Sequence, residues 1–216
     1  MRFRPVQLPV LLASALLAAG PVPAPVYAQA PRAQRTVVFL GDSLTAGLGL
    51  AADQAFPALI QKRLEAEVRP WRVVNAGVSG DTTAGGAARL DWIYRQKIDV
   101  LVVELGANDG LRGIPVASTE RNLRTILDRA RRERSRVLLV GMQLPENYGP
   151  AYRRQFQAIF PRLAKAYHVA FLPFLLEGVA MDPGLNQADG IHPNAKGARK
   201  VSETVWKALA PLLERP

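Results

Sequence analysis

Five short runs of Val, Leu, Ile and Phe recur along the chain and are separated by longer amphipathic stretches. The runs cover residues 36–40, 72–75, 99–105, 136–141 and 169–173. Their hydrophobic residues are mostly consecutive rather than alternating, which is typical of parallel strands that are covered on both faces. The pattern therefore predicts five buried strands of a mainly parallel sheet.

Helical periodicity fills the stretches between these runs. It is clearest over residues 120–133, where Leu123, Ile126, Leu127 and Ala130 would fall on one face of a helix. The other predicted helices cover residues 56–67, 83–95, 151–167 and 195–213. This alternation of strands and helices predicts an α/β fold, a three-layer α/β/α sandwich around a central, mainly parallel five-stranded sheet.

Residues 1–28 have a different character from the rest of the chain. Two arginines precede an apolar stretch over residues 8–19, and small residues follow near Ala28. This layout is typical of a secretory signal peptide, with cleavage predicted after Ala28 and Ala30 as the alternative. The apolar stretch is short for a membrane span of about 20 residues. We therefore expect a periplasmic or secreted protein in which residues 34–216 form a single domain.

The composition narrows the chemistry that the chain can perform. It has 216 residues with no Cys and two His, which excludes disulfides, thiol nucleophiles and thiolate metal sites, and leaves few imidazoles for a zinc site. The formal net charge is +10, and seven arginines between residues 121 and 136 supply part of the excess. A charge run of this kind is usually a solvated helix face. Because the chain carries no nucleic-acid-binding motif, we expect no nucleic-acid partner.

Polar segments follow four of the five predicted strands, at residues 41–44, 75–81, 106–110 and 143–145. A further polar segment, residues 189–194, precedes the last predicted helix. Ligands of parallel α/β sheets bind at the carboxyl ends of the strands. We therefore expect these segments to converge on one rim of the sheet.

Ser43 falls in a sharp turn between a predicted strand and the residues that follow it, where its hydroxyl would be exposed. A serine nucleophile needs a base, and the base needs a carboxylate to orient it. His192 follows Asp189 by three residues, so that one short loop can present both side chains. The other histidine, His168, ends a predicted helix, where a structural role suits it better.

A tetrahedral intermediate also needs hydrogen-bond donors for its oxyanion. Gly80 lies in a Gly-rich loop after the second predicted strand and could give a backbone N–H, while Asn108 follows the third strand and could give a side-chain N–H. The amide of Ser43 would be a third donor. Each residue alone is also a common turn residue, but their positions at the ends of successive strands together favour an oxyanion hole.

These residues fall in four segments that resemble the blocks of the SGNH (GDSL) hydrolase family, in the family's order. The blocks are Gly41-Asp42-Ser43-Leu44, Gly80, Gly106-Ala107-Asn108-Asp109 and Asp189-Gly190-Ile191-His192. Residues 75–82, 103–113 and 144–149 are similar to the bacterial periplasmic thioesterase I/lysophospholipase and arylesterase branch.

The resemblance implies the SGNH hydrolase fold, with Ser43 as nucleophile, His192 as base and Asp189 as its partner. It further implies an oxyanion hole made by Ser43, Gly80 and Asn108, and a reaction without a metal or cofactor. The implied activity is hydrolysis of carboxylic esters or thioesters through an acyl-enzyme, of the arylesterase, acyl-CoA thioesterase or lysophospholipase type. The partner would be a small-molecule acyl ester or thioester.

The resemblance also indicates where the substrate would bind. A loop that closes over acyl chains would lie at residues 109–115, so that Asp109, Gly110 and Leu111 are expected contacts. Leu144 and Tyr148 are two further candidates for the lining of an acyl pocket.

Two alternative functions stay open, a carbohydrate O-acetylesterase of the same fold and a non-catalytic basic lipid-binding module of the periplasm. The Arg-rich helix motivates the second, because it could attract anionic membrane lipids in a salt-dependent way. Other enzyme classes fit less well. A binuclear metallophosphoesterase needs several His, and an α/β-hydrolase needs a Gly-x-Ser-x-Gly motif, to which residues 77–80 are only a near miss. A monomer is the simplest expectation for the oligomeric state.

Overall fold

The computed structural model describes residues 34–214, so that the predicted signal peptide lies outside the described residues. Its centre is one sheet of five strands in the order β2-β1-β3-β4-β5, and every pair of neighbouring strands is parallel. The strands are β1 (Arg35–Gly41), β2 (Trp71–Gly77), β3 (Val100–Glu104), β4 (Arg136–Val140) and β5 (Ala170–Leu172). The predicted parallel five-stranded sheet is confirmed.

Helices cover both faces of this sheet. They are α1 (Ser43–Ala46), α2 (Phe56–Ala66), α3 (Thr83–Ala88), α4 (Leu90–Ile93), α5 (Ala107–Leu111), α6 (Val116–Arg132), α7 (Pro150–Tyr167) and α8 (Ala195–Glu214). Helices α2 and α8 pack together on one side, while α3, α6 and α7 pack together on the other. The three-layer α/β/α sandwich is therefore also confirmed.

The two central strands explain the consecutive hydrophobic runs in the sequence. Residues 37–40 of β1 and 100–103 of β3 are fully buried, because helices cover both faces at the middle of the sheet. Helix α6 instead buries one stripe, formed by Leu123, Ile126 and their neighbours on the same face. The described residues form one compact unit, and none of their helices is long and apolar enough to cross a membrane.

Two segments differ from the sequence prediction. The single helix predicted over residues 83–95 is broken at Arg89, which ends α3 and begins α4 with φ −97° and ψ 9°. The segment expected to be a loop at residues 109–115 begins inside helix α5, whose first turn follows Gly106 at φ 122°. Both differences arise where the chain turns sharply beneath the carboxyl ends of the strands.

The strand order creates a switch point between β1 and β3. From β1 the chain crosses to β2 on one side, whereas β3 lies on the other side, so that a crevice opens at the carboxyl ends of β1 and β3. Ligands of open α/β sheets bind in such crevices. Ser43 begins α1 after β1, and Asn108 lies in α5 after β3. Two of the candidate residues therefore flank the crevice.

Candidate active site

Ser43, His192 and Asp189 form a hydrogen-bonded row at the rim of this crevice. The hydroxyl oxygen of Ser43 lies 2.8 Å from Nε2 of His192. On the other side of the ring, Nδ1 of His192 lies 2.7 Å from Oδ2 of Asp189. With the ring proton on Nδ1, His192 donates to Asp189 and accepts from the Ser43 hydroxyl. This arrangement can move a proton from Ser43 to His192.

Asp189 is held as a carboxylate by its own loop. Its Oδ1 accepts hydrogen bonds from the backbone N–H groups of His192 and Ile191, both at 3.0 Å. The backbone N–H of His192 is the main cause that lowers the pKa of Asp189 to about 2, aided by the His192 side chain and the Ile191 N–H. Asp189 is therefore ionised at neutral pH and fixes the orientation of the imidazole ring.

Gln187 connects the loop of Asp189 and His192 to the segment that follows Ser43. Its backbone N–H donates to the carbonyl of His192 at 2.7 Å, which closes the loop on itself. Its side-chain amide donates to the carbonyls of Leu48, at 2.7 Å, and Pro193, at 3.0 Å. One side chain therefore spans the gap between the serine segment and the histidine loop.

Gly80 and Asn108 reach the same rim from two other strands. Gly80 lies in a turn closed by the hydrogen bond from the Asp81 N–H to the Val78 carbonyl at 3.0 Å. Its φ of +79° is a left-handed conformation that favours glycine. The side-chain amide of Asn108 donates to the Asp81 carbonyl at 2.9 Å and to Oδ2 of Asp42 at 3.2 Å. The structure thus joins the Gly80 turn to Asn108 through Asp81.

Two buried carboxyl groups, Asp42 and Glu104, lie beneath Ser43. Oδ1 of Asp42 caps α1 by accepting from the Leu44 N–H at 3.0 Å, and burial raises the pKa of Asp42 to about 6. Glu104 accepts from the Thr45 hydroxyl at 2.6 Å and from the Asp42 N–H at 3.4 Å. Its complete burial, and then the neighbouring Asp42, raise the pKa of Glu104 well above its ordinary value.

A cavity of about 630 Å³ opens beside Ser43 and His192. This volume lies within the range of small-molecule sites, and most of the lining is apolar. The apolar part is formed by Leu44, Ala107, Leu111, Met142, Leu144, Pro145, Phe174, Leu176, Ala180, Met181 and Ile191. The polar part beyond the row of Ser43 and His192 includes Asn108, Gln143, Glu146, Asn147 and Arg153. Such a cavity accommodates an acyl chain next to a reactive serine.

The five residues expected to contact substrate are divided by the structure. Leu111 and Leu144 line the cavity. Tyr148 lies behind this wall, where its hydroxyl donates to the Leu111 carbonyl at 2.9 Å. Asp109 and Gly110 are buried and are not among the residues that line the cavity.

Asp109 and Gly110 instead support the wall from below. The Asp109 carboxylate accepts from the Thr83 N–H at 2.8 Å, which ties α5 to the start of α3. A Cβ on Gly110 would lie 2.4 Å from Leu144, so that glycine here allows Leu144 to approach α5. Of the segment expected to be a loop, residues 109–111 are therefore part of α5, and only residues 112–115 form a turn between α5 and α6.

Three residues support the site although no sequence motif assigns them a role. These are Arg89, Gln187 and Glu104. For Glu104 a signal exists, since it is the one charged residue inside the hydrophobic run at residues 100–105. Such a residue is buried only when it has polar partners. Arg89 and Gln187 each have a partner that is distant in sequence, Gly41 at 48 positions and Leu48 at 139 positions, and no local pattern indicates these contacts.

Two further possibilities, a metal site and a role for the second histidine, give no second candidate site in the described part of the chain. Among residues 34–214, no group of three or more His, Cys, Asp or Glu side chains could hold a metal ion. His168 caps the carboxyl end of α7 with a left-handed φ of +53° and is exposed. It does not line the cavity beside Ser43.

Comparison with known proteins places this geometry in a family. The sequence profile of the GDSL-like lipase/acylhydrolase family matches residues 39–200. The chain is 47% identical over 182 residues to esterase TesA of Pseudomonas aeruginosa, covering 84% of this chain and 90% of that protein. It is 42% identical over 179 residues to thioesterase 1/protease 1/lysophospholipase L1 of Escherichia coli, covering 82% and 85%. An arylesterase of Vibrio mimicus is 35% identical over 181 residues, covering 83% and 90%.

Solved structures show the same similarity. The crystal structure of TesA superposes with a TM-score of 0.80 at 46% identity, covering 82% of this chain and 99% of that one. The esterase EstA from Pseudoalteromonas, in a structure inhibited by monoethylphosphonate, gives a TM-score of 0.80 at 30% identity, covering 84% and 100%. The fold and the family are therefore shared along nearly the whole length of these relatives.

Proposed function

The chain belongs to the GDSL-like lipase/acylhydrolase family, and from this premise we propose that it hydrolyses carboxylic esters and thioesters through an acyl-enzyme on Ser43. The observation that carries the proposal is the row of Ser43, His192 and Asp189 opening into an apolar cavity. Relatives named as esterase, thioesterase, lysophospholipase and arylesterase support hydrolysis of ester bonds.

In the first half of the reaction, the proton of the Ser43 hydroxyl moves to Nε2 of His192 as the oxygen attacks the acyl carbonyl carbon. Asp189 holds the imidazolium that results and keeps the ring in place. When the tetrahedral intermediate collapses, Nε2–H of His192 protonates the leaving alcohol or thiol, and the acyl group stays on Ser43. Water then attacks the acyl-enzyme with the same proton transfers, which releases the acid and restores Ser43.

The oxyanion of each intermediate would be held by the N–H groups of Ser43 and Gly80 and by the side-chain amide of Asn108. In the free protein, the Asn108 amide already donates both of its hydrogens, to Asp81 at 2.9 Å and to Asp42 at 3.2 Å. The longer bond to Asp42 is the one to be exchanged for a bond to the oxyanion. The shorter bond keeps the amide in place during that exchange.

The apolar cavity favours an acyl substrate over an O-acetylated sugar. Its lining is dominated by Leu, Met, Phe and Ile side chains, which bind a hydrocarbon chain and not the hydroxyls of a carbohydrate. We therefore expect kcat/KM for p-nitrophenyl esters and for acyl-CoA to rise with chain length beyond acetyl. An optimum at acetyl, with activity on acetylated sugars, would favour the carbohydrate esterase instead.

Covalent labelling of Ser43 tests the proposal directly. A fluorophosphonate should modify Ser43, as located by mass spectrometry of the digested protein, and should abolish hydrolysis of a short aryl ester. Ser43→Ala should lose both labelling and activity. Ser79→Ala is the matched control, because Ser79 is an exposed serine on a neighbouring loop. Labelling at Ser79, or an active Ser43→Ala variant, would reject the assignment, and a protein that is never labelled would point to a binding module.

The predicted export of the protein also remains a proposal. Its support is the order of basic, apolar and small residues over positions 1–30. Expression of the full chain in a bacterium, followed by amino-terminal sequencing of the protein recovered from the periplasm, should find Gln29 or Pro31 as the first residue. Recovery of an uncleaved chain from the cytoplasm would contradict export.

Contact with anionic lipids is a further proposal, which rests on the exposed arginines at the end of α6. Arg131, Arg132 and Arg134 are exposed there, next to the amino end of β4. They therefore lie near the amino ends of the parallel strands, whereas Ser43 lies at the carboxyl ends. Binding to vesicles of anionic phospholipid should weaken with salt. Because the amino ends of the strands face away from the site, binding to vesicles should leave hydrolysis of a soluble ester unchanged.

We expect the protein to sediment as a monomer in the same buffers.

A further inference from the structure

The side chain of Arg89 forms hydrogen bonds to three separate residues near the site. Its guanidinium donates to the Ala76 carbonyl at 2.6 Å and to the Gly41 carbonyl at 3.1 Å. It also pairs with Oδ2 of Asp81, through Nε at 2.9 Å and Nη2 at 2.8 Å. The side chain is 20% exposed and its partner Asp81 is 10% exposed, so that solvent screens the pair only weakly.

The partners of Arg89 belong to the segments that carry two of the three proposed oxyanion donors, and one of these partners contacts the third donor. Gly41 ends β1 two residues before Ser43. Ala76 lies near the end of β2, which leads into the Gly80 turn. Asp81 follows Gly80 directly, and its carbonyl accepts the hydrogen bond from Asn108. A single planar guanidinium therefore connects β1, the Gly80 turn and, through one further bond, Asn108.

We propose that Arg89 is a positioning residue for the oxyanion hole and that its role is to keep the three donors at one fixed separation. This inference rests on the proposed function of the site. Donors stabilise an oxyanion only when they lie about 2.7–3.1 Å from it, and displacement by about 1 Å costs roughly 100-fold in rate. The five N–H groups of arginine lie in a rigid fork, which lysine cannot reproduce.

The fold supports this role at two points. The break between α3 and α4 at Arg89 lets its side chain reach back beneath the rim, where a continuous helix was expected from the sequence. Gly85 leaves room for the Asp81 carboxylate, since a Cβ on Gly85 would lie 1.9 Å from its Oδ1. Arg112 contributes from the outer side, where it donates to the Gly80 carbonyl at 3.0 Å, but this side chain is exposed.

The effects of replacing Arg89 differ according to whether it only forms a structural ion pair or also positions the oxyanion donors. A structural pair would lower the melting temperature and leave the rate of each folded molecule unchanged. A positioning residue would lower kcat and leave KM almost unchanged, because the acyl cavity does not include Arg89. It would also weaken binding of a boronic acid, which forms a tetrahedral adduct with a serine, by the same factor as kcat/KM.

The experiment compares Arg89→Lys and Arg89→Gln with Arg129→Gln as a matched control. Arg129 is 24% exposed and pairs with two carboxylates, Asp91 in α4 and Glu133 at the end of α6, and it contacts none of the proposed oxyanion donors. Rates on a p-nitrophenyl ester are referred to the active molecules counted by fluorophosphonate titration. We expect kcat to fall about 10- to 100-fold in Arg89→Lys and further in Arg89→Gln, with KM within about threefold of wild type. Arg129→Gln should lower only the melting temperature.

Asn108→Ala separates failure of this inference from failure of the proposed function. If Asn108→Ala slows hydrolysis but Arg89→Lys stays within about twofold of wild type, the positioning role is overturned while the proposed site stands. If neither Asn108→Ala nor Ser43→Ala slows hydrolysis, the proposed site itself is wrong. Should Arg89→Lys fail to fold, Asp81→Asn takes its place, because it removes the ion pair and keeps the Asp81 carbonyl.

Discussion

Asp189 and His192 lie three residues apart on one loop, whereas the proposed oxyanion donors Ser43, Gly80 and Asn108 come from the ends of three different strands. The Asp189 loop is held largely by its own backbone, with two N–H groups donating to the Asp189 carboxylate. The donors are instead held by side chains from elsewhere. One half of the site is thus built from one loop, and the other from segments that are distant in the chain.

This difference separates two ways of building a site. In the local half, the turn conformation itself brings acid and base together, so that few outside contacts are required. In the long-range half, three strand ends reach a common geometry only because buried polar groups connect them, and each such group must be satisfied to be tolerated in the interior. We expect the local half to be sensitive mainly at its own two side chains, and the other half to be sensitive at its supports as well.

The largest expected effect is in the local half. Asp189→Asn should lower kcat about 10⁴-fold, because an amide does not fix the Nδ1–H tautomer of His192 as the carboxylate does. Steady-state hydrolysis of a p-nitrophenyl ester measures this. Asp182→Asn is the control, since Asp182 accepts from the Gly184 N–H at 2.8 Å in a neighbouring turn and should keep its activity. A loss of less than about tenfold in Asp189→Asn would remove Asp189 from the proposed triad.

The next effect concerns one of the long-range donors. Asn108→Ala should lower kcat/KM about 10²- to 10³-fold, because one oxyanion donor is lost and the Asp81 carbonyl loses its partner. The control is Asn122→Ala, since Asn122 donates to the Thr83 hydroxyl at 3.1 Å below the site. Equal losses in both variants would mean that packing around α3 and not oxyanion binding explains the effect.

A smaller effect is expected where the local half touches the rest of the site. Gln187→Ala removes hydrogen bonds to the Leu48 and Pro193 carbonyls, and should lower kcat about 3- to 10-fold, as expected for the loss of about 1 kcal/mol. Gln61→Ala, which removes the hydrogen bond from the Val73 N–H at 2.7 Å far from the site, is the control. A loss as large as that of Asn108→Ala would show that the loop depends on outside contacts after all.

Replacement of Glu104 by Gln should have the smallest effect on rate but a clear effect on stability. Burial raises the pKa of Glu104 above its ordinary value of 4.5, so that the folded state resists an ionisation that the unfolded state allows. The contribution of the protonated Glu104 to wild-type stability is therefore fully present below about pH 4.5 and is lost as the pH rises through the folded-state pKa. Glu104→Gln lacks this loss.

The stability of Glu104→Gln relative to wild type should accordingly increase between about pH 4 and pH 7. Urea unfolding at several pH values measures it, with the exposed Glu65→Gln as the surface control. A difference between variant and wild type that is independent of pH would show that Glu104 ionises in the folded protein as freely as in the unfolded chain.

The sequence alone predicts the features that depend on local patterns, but not those that depend on contacts between distant residues. The five strands follow from local hydrophobic runs, and the pairing of Asp189 with His192 follows from a spacing of three residues. Gly80 and Asn108 follow from their positions after the second and third predicted strands, and the family resemblance implies the same role for them. Arg89 could not be predicted in this way, because its partner Gly41 is 48 residues away and nothing in the intervening sequence indicates the contact.

Asp109 and Gly110 show a second limit of prediction from sequence, because a motif was present there but did not indicate which way its residues face. Asp109 and Gly110 stand in a motif, which favours a direct contact with substrate, but the structure buries both of them beneath Leu144. The Asp109 side chain turns inward because it finds donors on α3, and Gly110 is covered because it has no Cβ to keep Leu144 away. A motif locates the neighbourhood of a site, whereas the direction of each side chain depends on packing partners.

The bond between Ser43 and His192 also carries a consequence for the timing of synthesis. These two residues are 149 positions apart in the chain. A ribosome that adds about 5–20 residues per second makes the serine roughly 7–30 s before the histidine. If Ser43 acts through His192 as proposed, the nascent polypeptide cannot hydrolyse esters during that interval. Hydrolysis can begin only after the loop of Asp189 and His192 has been made and has folded against Ser43.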